Sequence, residues 1–228
     1  MLLIFDWDGT LSNSADKIIT CLQQAATAAG VERRSDAAIR NIIGLGLPEA
    51  LQQLYPDLDS VGYDLLRHHY VTCFLDADQE PSPFFDGVME GLQHLRDQNF
   101  LLTVATGKSR RGLDRVLDNL QLTDFFHGSR CADETASKPH PQMLSELLVE
   151  FSRPAEEAIM IGDTEYDMAM AQQLNMPRVA VSYGAHEIDR LQAYQPLLMV
   201  DRFSDFVDWV LDVHQPSLTA RSDNGTVF

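Results

Sequence analysis

Leu2-Leu3-Ile4-Phe5-Asp6-Trp7-Asp8-Gly9-Thr10-Leu11 is the stretch that decides the fold. The apolar run Leu2–Phe5 reads as a strand buried on both faces, as in a parallel sheet. The run stops at an acid. Residues i and i+2 of an extended segment project to the same side, so Asp6 and Asp8 are expected to face one site with their carboxylates close together. Two carboxylates at the open end of a buried strand repel each other unless a cation or a proton intervenes. Gly9 lets the backbone turn sharply. Standing alone, the stretch would also suit a polar strand end running into an ordinary Asp-Gly turn.

Further apolar runs at Leu101–Ala105, Ala158–Ile161, Val179–Val181 and Leu197–Val200 repeat the strand pattern, with amphipathic stretches between them. Strands alternating with helices predict an α/β fold with a parallel sheet covered on both faces. One interval is too long. A strand–helix–strand unit needs only about 30 residues, yet the second strand begins near Leu101. The apolar spacing of Ala15, Ile18, Ile19, Leu22, Ala25, Ala26 and Ala29 follows one helix face, with Ser14 as cap and Gly30 as stop. Helical stretches over Asp36–Ile43, Pro48–Leu54 and Val61–Leu75 complete an inserted helical unit. The expected division is a core of residues 1–12 and 81–214, a helical domain of residues 13–80, and a polar tail of residues 215–228. Gln79-Glu80-Pro81-Ser82-Pro83 reads as the stiff second linker, and Gly87–Gln98 as the crossover helix.

Three more motifs carry chemistry. Gly162-Asp163-Thr164-Glu165-Tyr166-Asp167 follows the Ala158–Ile161 strand. Asp163 suits a hard divalent cation, which prefers oxygen donors, and Asp167 falls on the first turn of the next helix. Both acids would equally suit a helix cap. Thr106-Gly107-Lys108 follows the second strand, where a hydroxyl and free N–H groups make a phosphate seat. Arg110 and Arg111 nearby read as a solvated helix face. In Lys138-Pro139-His140-Pro141, Pro139 suits the first position of a helix, which would place the Lys138 ammonium beside phosphate and aspartate. His140 reads as a loop residue. Strand carboxyl ends are where open α/β sheets bind ligands, and this set suits phosphoryl transfer, where positioning and charge neutralisation dominate.

Composition sets bounds. The formal charge of −17 argues against nucleic acid and against docking on an anionic membrane. A metal and a few local cations can still reverse the field inside one pocket. With 45% apolar residues, a sizeable core is expected. Cys21, Cys73 and Cys131 lack metal-site spacing and suit reduced thiols in a cytoplasmic protein. The N-terminal apolar run is too short for a signal peptide, and no stretch approaches the roughly 20 residues of a spanning helix.

Taken together, DWDGTL at 6–11, Thr106, Lys138 and GDTEYD at 162–167 resemble the haloacid dehalogenase superfamily of phosphohydrolases, in the branch with a helical cap after the first strand. The resemblance implies a Rossmann-like core and an Mg²⁺-dependent phosphatase. Asp6 would be the nucleophile and Asp8 the acid and base. Asp6, the Asp8 carbonyl and Asp163 would hold the metal. Thr106 and Lys138 would bind the phosphoryl group, with Trp7 and Gly107 contributing to that surface and Asp167 supporting Lys138 or a metal-bound water. An acid at position 8 favours ester hydrolysis over dehalogenation. Ile43-Gly44-Leu45-Gly46-Leu47 and Asp163–Met168 are most similar to phosphoglycolate phosphatase-like members. Asn13, Gly107 and Asn175-Met176-Pro177 depart from the common pattern.

The expected partner is a small-molecule phosphate ester, handled by a monomer or homodimer. A phosphosugar mutase and a non-catalytic interaction module are the alternatives. Gly44 and Gly46 could reach into the site, or could only separate two helices.

Overall fold

Residues 1–77 and 80–214 are described by a computed structural model. Six strands form one sheet: β1 (Leu2–Phe5), β2 (Leu101–Thr106), β3 (Gly128–Cys131), β4 (Ala158–Gly162), β5 (Arg178–Val181) and β6 (Leu198–Val200). Every pairing is parallel, and the spatial order is β3-β2-β1-β4-β5-β6. The order reverses beside β1, which pairs with both β2 and β4. At such a switch point the crevice beyond the strand ends is open to a ligand.

Alternation along β1 builds two cores. Leu3 and Phe5 join one apolar cluster with α5 (Val88–Asp97), α6 (Arg110–Asn119) and α10 (Phe203–His214). Leu2 and Ile4 join the cluster on the other face, with α7 (Gln142–Glu150) and α8 (Glu165–Gln172). Burial on both faces explains why β1 shows no polar alternation. The short helix α9 (Ile188–Gln192) packs Leu191 against Met168 and Ala180.

Strand β3 escaped the apolar-run reading. It is an edge strand with the sequence Gly-Ser-Arg-Cys, and only Cys131 is buried. Polar edges are how sheets avoid further pairing. Its Arg130 pairs with Glu146 and Glu150 of α7. Arg110 is also not the solvated residue expected: its guanidinium bonds Glu134, Asp114 and Ser129 and ties α6 to this edge.

Between β1 and α5 lie α1 (Ala15–Ala28), α2 (Asp36–Arg40), α3 (Leu47–Leu54) and α4 (Ser60–Ala77). They close around their own apolar cluster, which includes Ile18, Leu22, Ile39, Leu51 and Leu66. The α1 face is the expected one, and Gly30 takes a left-handed φ of 70° just past its end. The chain leaves and returns along paired segments: the Asn13 N–H donates to Pro83 O at 2.8 Å, and the Phe85 N–H to Leu11 O at 3.0 Å. Gln79 and the 215–228 tail lie outside the described residues. Among the described residues, no helix is long and apolar enough to cross a membrane. Cys21 and Cys131 are buried and Cys73 is half-buried.

Candidate active site

Asp6 leaves β1 fully buried, and its N–H donates to Ile161 O of β4 at 3.0 Å. That bond sets it beside Asp163, the residue directly after β4. Asp163 is also fully buried. Its Oδ1 accepts from Thr10 Oγ1 and its Oδ2 from the Ala185 N–H, each at 2.7 Å. Backbone presses on it from two sides, since a Cβ at Gly9 or Gly184 would lie 2.2 Å from its side chain. Gly9, at φ 88°, is thus required by both conformation and space.

Lys138 arrives from the loop before α7. Its buried ammonium stands 2.7 Å from Asp6 Oδ1 and 2.7 Å from Asp167 Oδ1. The contact to Asp6 is an ion pair without well-directed hydrogen-bond geometry, and Asp6 Oδ2 has no hydrogen-bond partner among the described residues. Asp167 does two things. Its Oδ2 accepts from the Thr164 N–H and hydroxyl, completing a capping box at the start of α8, while Oδ1 receives Lys138. The cap bonds and the Lys138 contact of Asp167 therefore coexist. The helix after Lys138 starts later than expected: α7 begins at Gln142 with Pro141 at its cap, and Pro139 lies in the preceding turn, closed by the His140 N–H donating to Ser137 O. His140 is exposed, in a loop.

Asp6, Asp163 and Asp167 each present an oxygen within 4.8 Å of the others. Three carboxylates face one ammonium, so two negative charges stay unbalanced if all ionise. Burial raises the Asp6 carboxyl well above the ordinary range, with Lys138 opposing and Asp167 and Asp163 adding to it. Burial and then Asp167 push Asp163 up to about 7. Burial alone would lower Lys138, but Asp167 and Asp6 outweigh it and hold the ammonium above its usual value. An unpartnered buried carboxylate oxygen within a surplus of hard oxygen donors fits a divalent cation.

Asp8 does not join that cluster. Its carboxylate faces the helical unit, where Ser14 Oγ donates to Oδ1 at 2.6 Å and Lys108 Nζ stands 3.0 Å from the same oxygen. Ser14 precedes α1 but makes no side-chain cap bond, because its hydroxyl serves Asp8. Thr106 is fully buried, and its hydroxyl accepts from the Lys108 N–H. The Trp7 indole is buried against Phe84 and Phe126. Any phosphate contact by Trp7 is therefore left to its main chain.

A cavity of about 460 Å³ separates the sheet edge from the helical unit. Asp8, Gly107 and Lys108 line it from the core, and α1, α4 and residues 42–51 from the other side. The Gly44–Gly46 loop reaches the core as well as separating helices. A Cβ at Gly107 would lie 2.4 Å from Leu45 O and 2.6 Å from Gly44 O, and the Gly46 N–H donates to Ser137 Oγ at 2.8 Å. A second junction surrounds Asn41. Its carbonyl accepts from Tyr166 OH at 2.7 Å and meets His186 Nε2 at 3.2 Å, while its side-chain oxygen accepts from Arg190 at 2.7 Å. The contacts made by Ser14, Thr10, Lys108 and Ala185 were not foreseen. Ser14 reads as a helix cap, Thr10 and Lys108 stand inside DWDGTL at 6–11 and Thr106-Gly107-Lys108, and Ala185 carries no sequence signal.

Known proteins are similar to this chain in sequence and fold. The chain is 33% identical over 210 residues to probable phosphatase IndB of Dickeya dadantii (strain 3937), covering 90% of this chain and 91% of the relative. It is 26% identical over 214 residues to pyrophosphatase PpaX of Bacillus cereus (strain Q1), covering 93% and 97%. A crystal structure described as a predicted phosphoglycolate phosphatase from Haemophilus somnus 129pt superposes with a TM-score of 0.84 at 21% identity, over 92% of this chain and 97% of that one. The model of the haloacid dehalogenase-like hydrolases matches residues 3–181. That match spans well over half of the chain, so the chain belongs to the haloacid dehalogenase-like hydrolase family.

Proposed function

We propose that this chain is a cytoplasmic, Mg²⁺-dependent phosphatase that hydrolyses a small phosphate monoester through a phosphoryl group carried on Asp6. The observation that carries the reading is Asp6 itself: fully buried, paired with Lys138 through one oxygen and unpartnered at the other. Mg²⁺ held by Asp6, the Asp8 carbonyl and Asp163 would neutralise charge on the phosphoryl oxygens. An Asp6 oxygen attacks phosphorus while the ester P–O bond breaks, and Asp8 gives its proton to the departing alkoxide. Asp8 then takes a proton from water, whose oxygen attacks phosphorus and releases Asp6. Thr106 and Lys138 hold the phosphoryl oxygens, and Asp167 fixes Lys138. Lys108 keeps Asp8 facing the cavity. Residues 13–80 act as a cap that shields the reaction from water. The net charge of −17 supports a small substrate over a nucleic acid.

Phosphate release from a panel of monoesters with Mg²⁺ tests the proposal, with Asp6→Asn as control. Turnover is expected to fall by about four orders of magnitude in the variant; unchanged turnover would sink the covalent route. Free phosphate, with no isomerised sugar phosphate, is the expected product from a hexose 1-phosphate.

A further inference from the structure

The cavity beside Asp8 is built for something other than a small hydrophilic alcohol. On the phosphatase reading, on which this inference rests, the leaving oxygen must lie at the Asp8 carboxyl, so the rest of the alcohol occupies the space Asp8 lines. That space, about 460 Å³, is in the range of pockets that hold whole small molecules. A two- or three-carbon acid or polyol would leave most of it unfilled.

Much of its wall is apolar. Ile43 and Leu45 face it from the loop, and Val71, Phe74 and Leu75 from α4. Val71 and Leu75 are each 38% exposed, uncovered apolar side chains at the cavity. Polar side chains also line it, Glu49, Arg67 and Tyr70 from the helical unit and Ser109, Arg115 and Asp133 from the core, and some of the core-side groups hold partners within the fold. Ser109 Oγ accepts from the Gly112 N–H, Asp133 Oδ1 from the Arg110 N–H, and Lys108 pairs with Asp8. A sugar or glycerol body placed against Leu45, Val71, Phe74 and Leu75 would lose hydration there without gaining hydrogen bonds from those side chains. A ring-sized apolar body would instead cover the exposed α4 side chains and lie under Phe74, whose ring already stacks 5.0 Å from the Lys108 ammonium.

We infer that the substrate is a phosphate monoester of an alcohol bearing an apolar or aromatic ring, with the ring seated between Leu45 and Phe74.

The test compares 2-phenylethyl phosphate with glycerol 3-phosphate and phosphoglycolate on the full chain with Mg²⁺. All three release unactivated alkoxides, so leaving-group chemistry is nearly matched. The expected kcat/KM is at least about tenfold higher for the aryl-bearing ester. Val71→Asn/Leu75→Gln, at two exposed positions, is expected to shrink that ratio severalfold, chiefly through KM. Equal or better turnover of the hydrophilic esters, or a ratio untouched by the double variant, overturns this inference and leaves the phosphatase reading standing. Phosphate release from none of these esters, nor from the wider panel, overturns the phosphatase reading and this inference with it.

Discussion

At the sheet edge, Asp6, Lys138, Asp163 and Asp167 sit buried and in mutual contact, each held by backbone or by another charge. Across the cavity, the helical unit offers α4, on which only Leu66 is buried while Val61, Leu65, Val71 and Leu75 stay exposed. The first region is over-determined and the second is loosely specified. Charges without water must be balanced at close range, so the sheet edge tolerates almost no change. Apolar walls need only volume and cover, so the helical side can vary.

Three changes probe that contrast. Lys138→Met should have the largest effect on folding: it removes the only cation contacting Asp6 and Asp167 among the described residues. The loss should be about 3–5 kcal/mol in denaturant unfolding without metal, and Mg²⁺ should recover part of it. A loss below about 1 kcal/mol would show that water, not Lys138, balances the site.

The pH dependence of the metal-free protein comes next. Asp163 binds its proton more tightly folded than unfolded, its carboxyl rising from 3.8 to about 7. Its contribution is therefore most favourable below the unfolded value and is lost as pH rises through the folded value. Metal-free Tm should carry a falling component between about pH 4 and 7, and the Mg²⁺-induced rise in Tm should be larger at the alkaline end. A Tm shift on adding Mg²⁺ that does not depend on pH would remove Asp163 from the metal site.

The smallest effect is expected at the seam between the regions. Gly107→Ala drives a methyl against the Leu45 and Gly44 carbonyls, and should cost about 1–3 kcal/mol. KM should rise more than kcat falls, because the loop lifts while the carboxylates stay in place. Equal losses in both would mean that the loop and the sheet edge are one rigid unit.

The same contrast governs what the sequence shows. The strands that place Asp6, Thr106 and Asp163 are continuous apolar runs, readable because both faces are buried. Strand β3 was hidden because an edge needs polar residues. The start of α7 was hidden because Pro139 and Pro141 both suit a helix start. The pairing of Asp6 with Asp8 followed strand alternation, yet β1 ends at Phe5, and past it the chain turns Asp8 toward Ser14 and Lys108. Lys108 follows β2 and meets Asp8 only when β1 and β2 pair in the sheet, so local spacing carries no trace of it.

Gly107 has a consequence for how such a protein could diversify. With no side chain there, the height of the Gly44–Gly46 loop above the core is set by contact between two backbones. Position 107 then acts as a spacer. Each added side-chain atom would raise the roof of the chamber without altering a group that touches phosphorus. A lineage could change the size of molecule it admits through one codon and keep its chemistry intact.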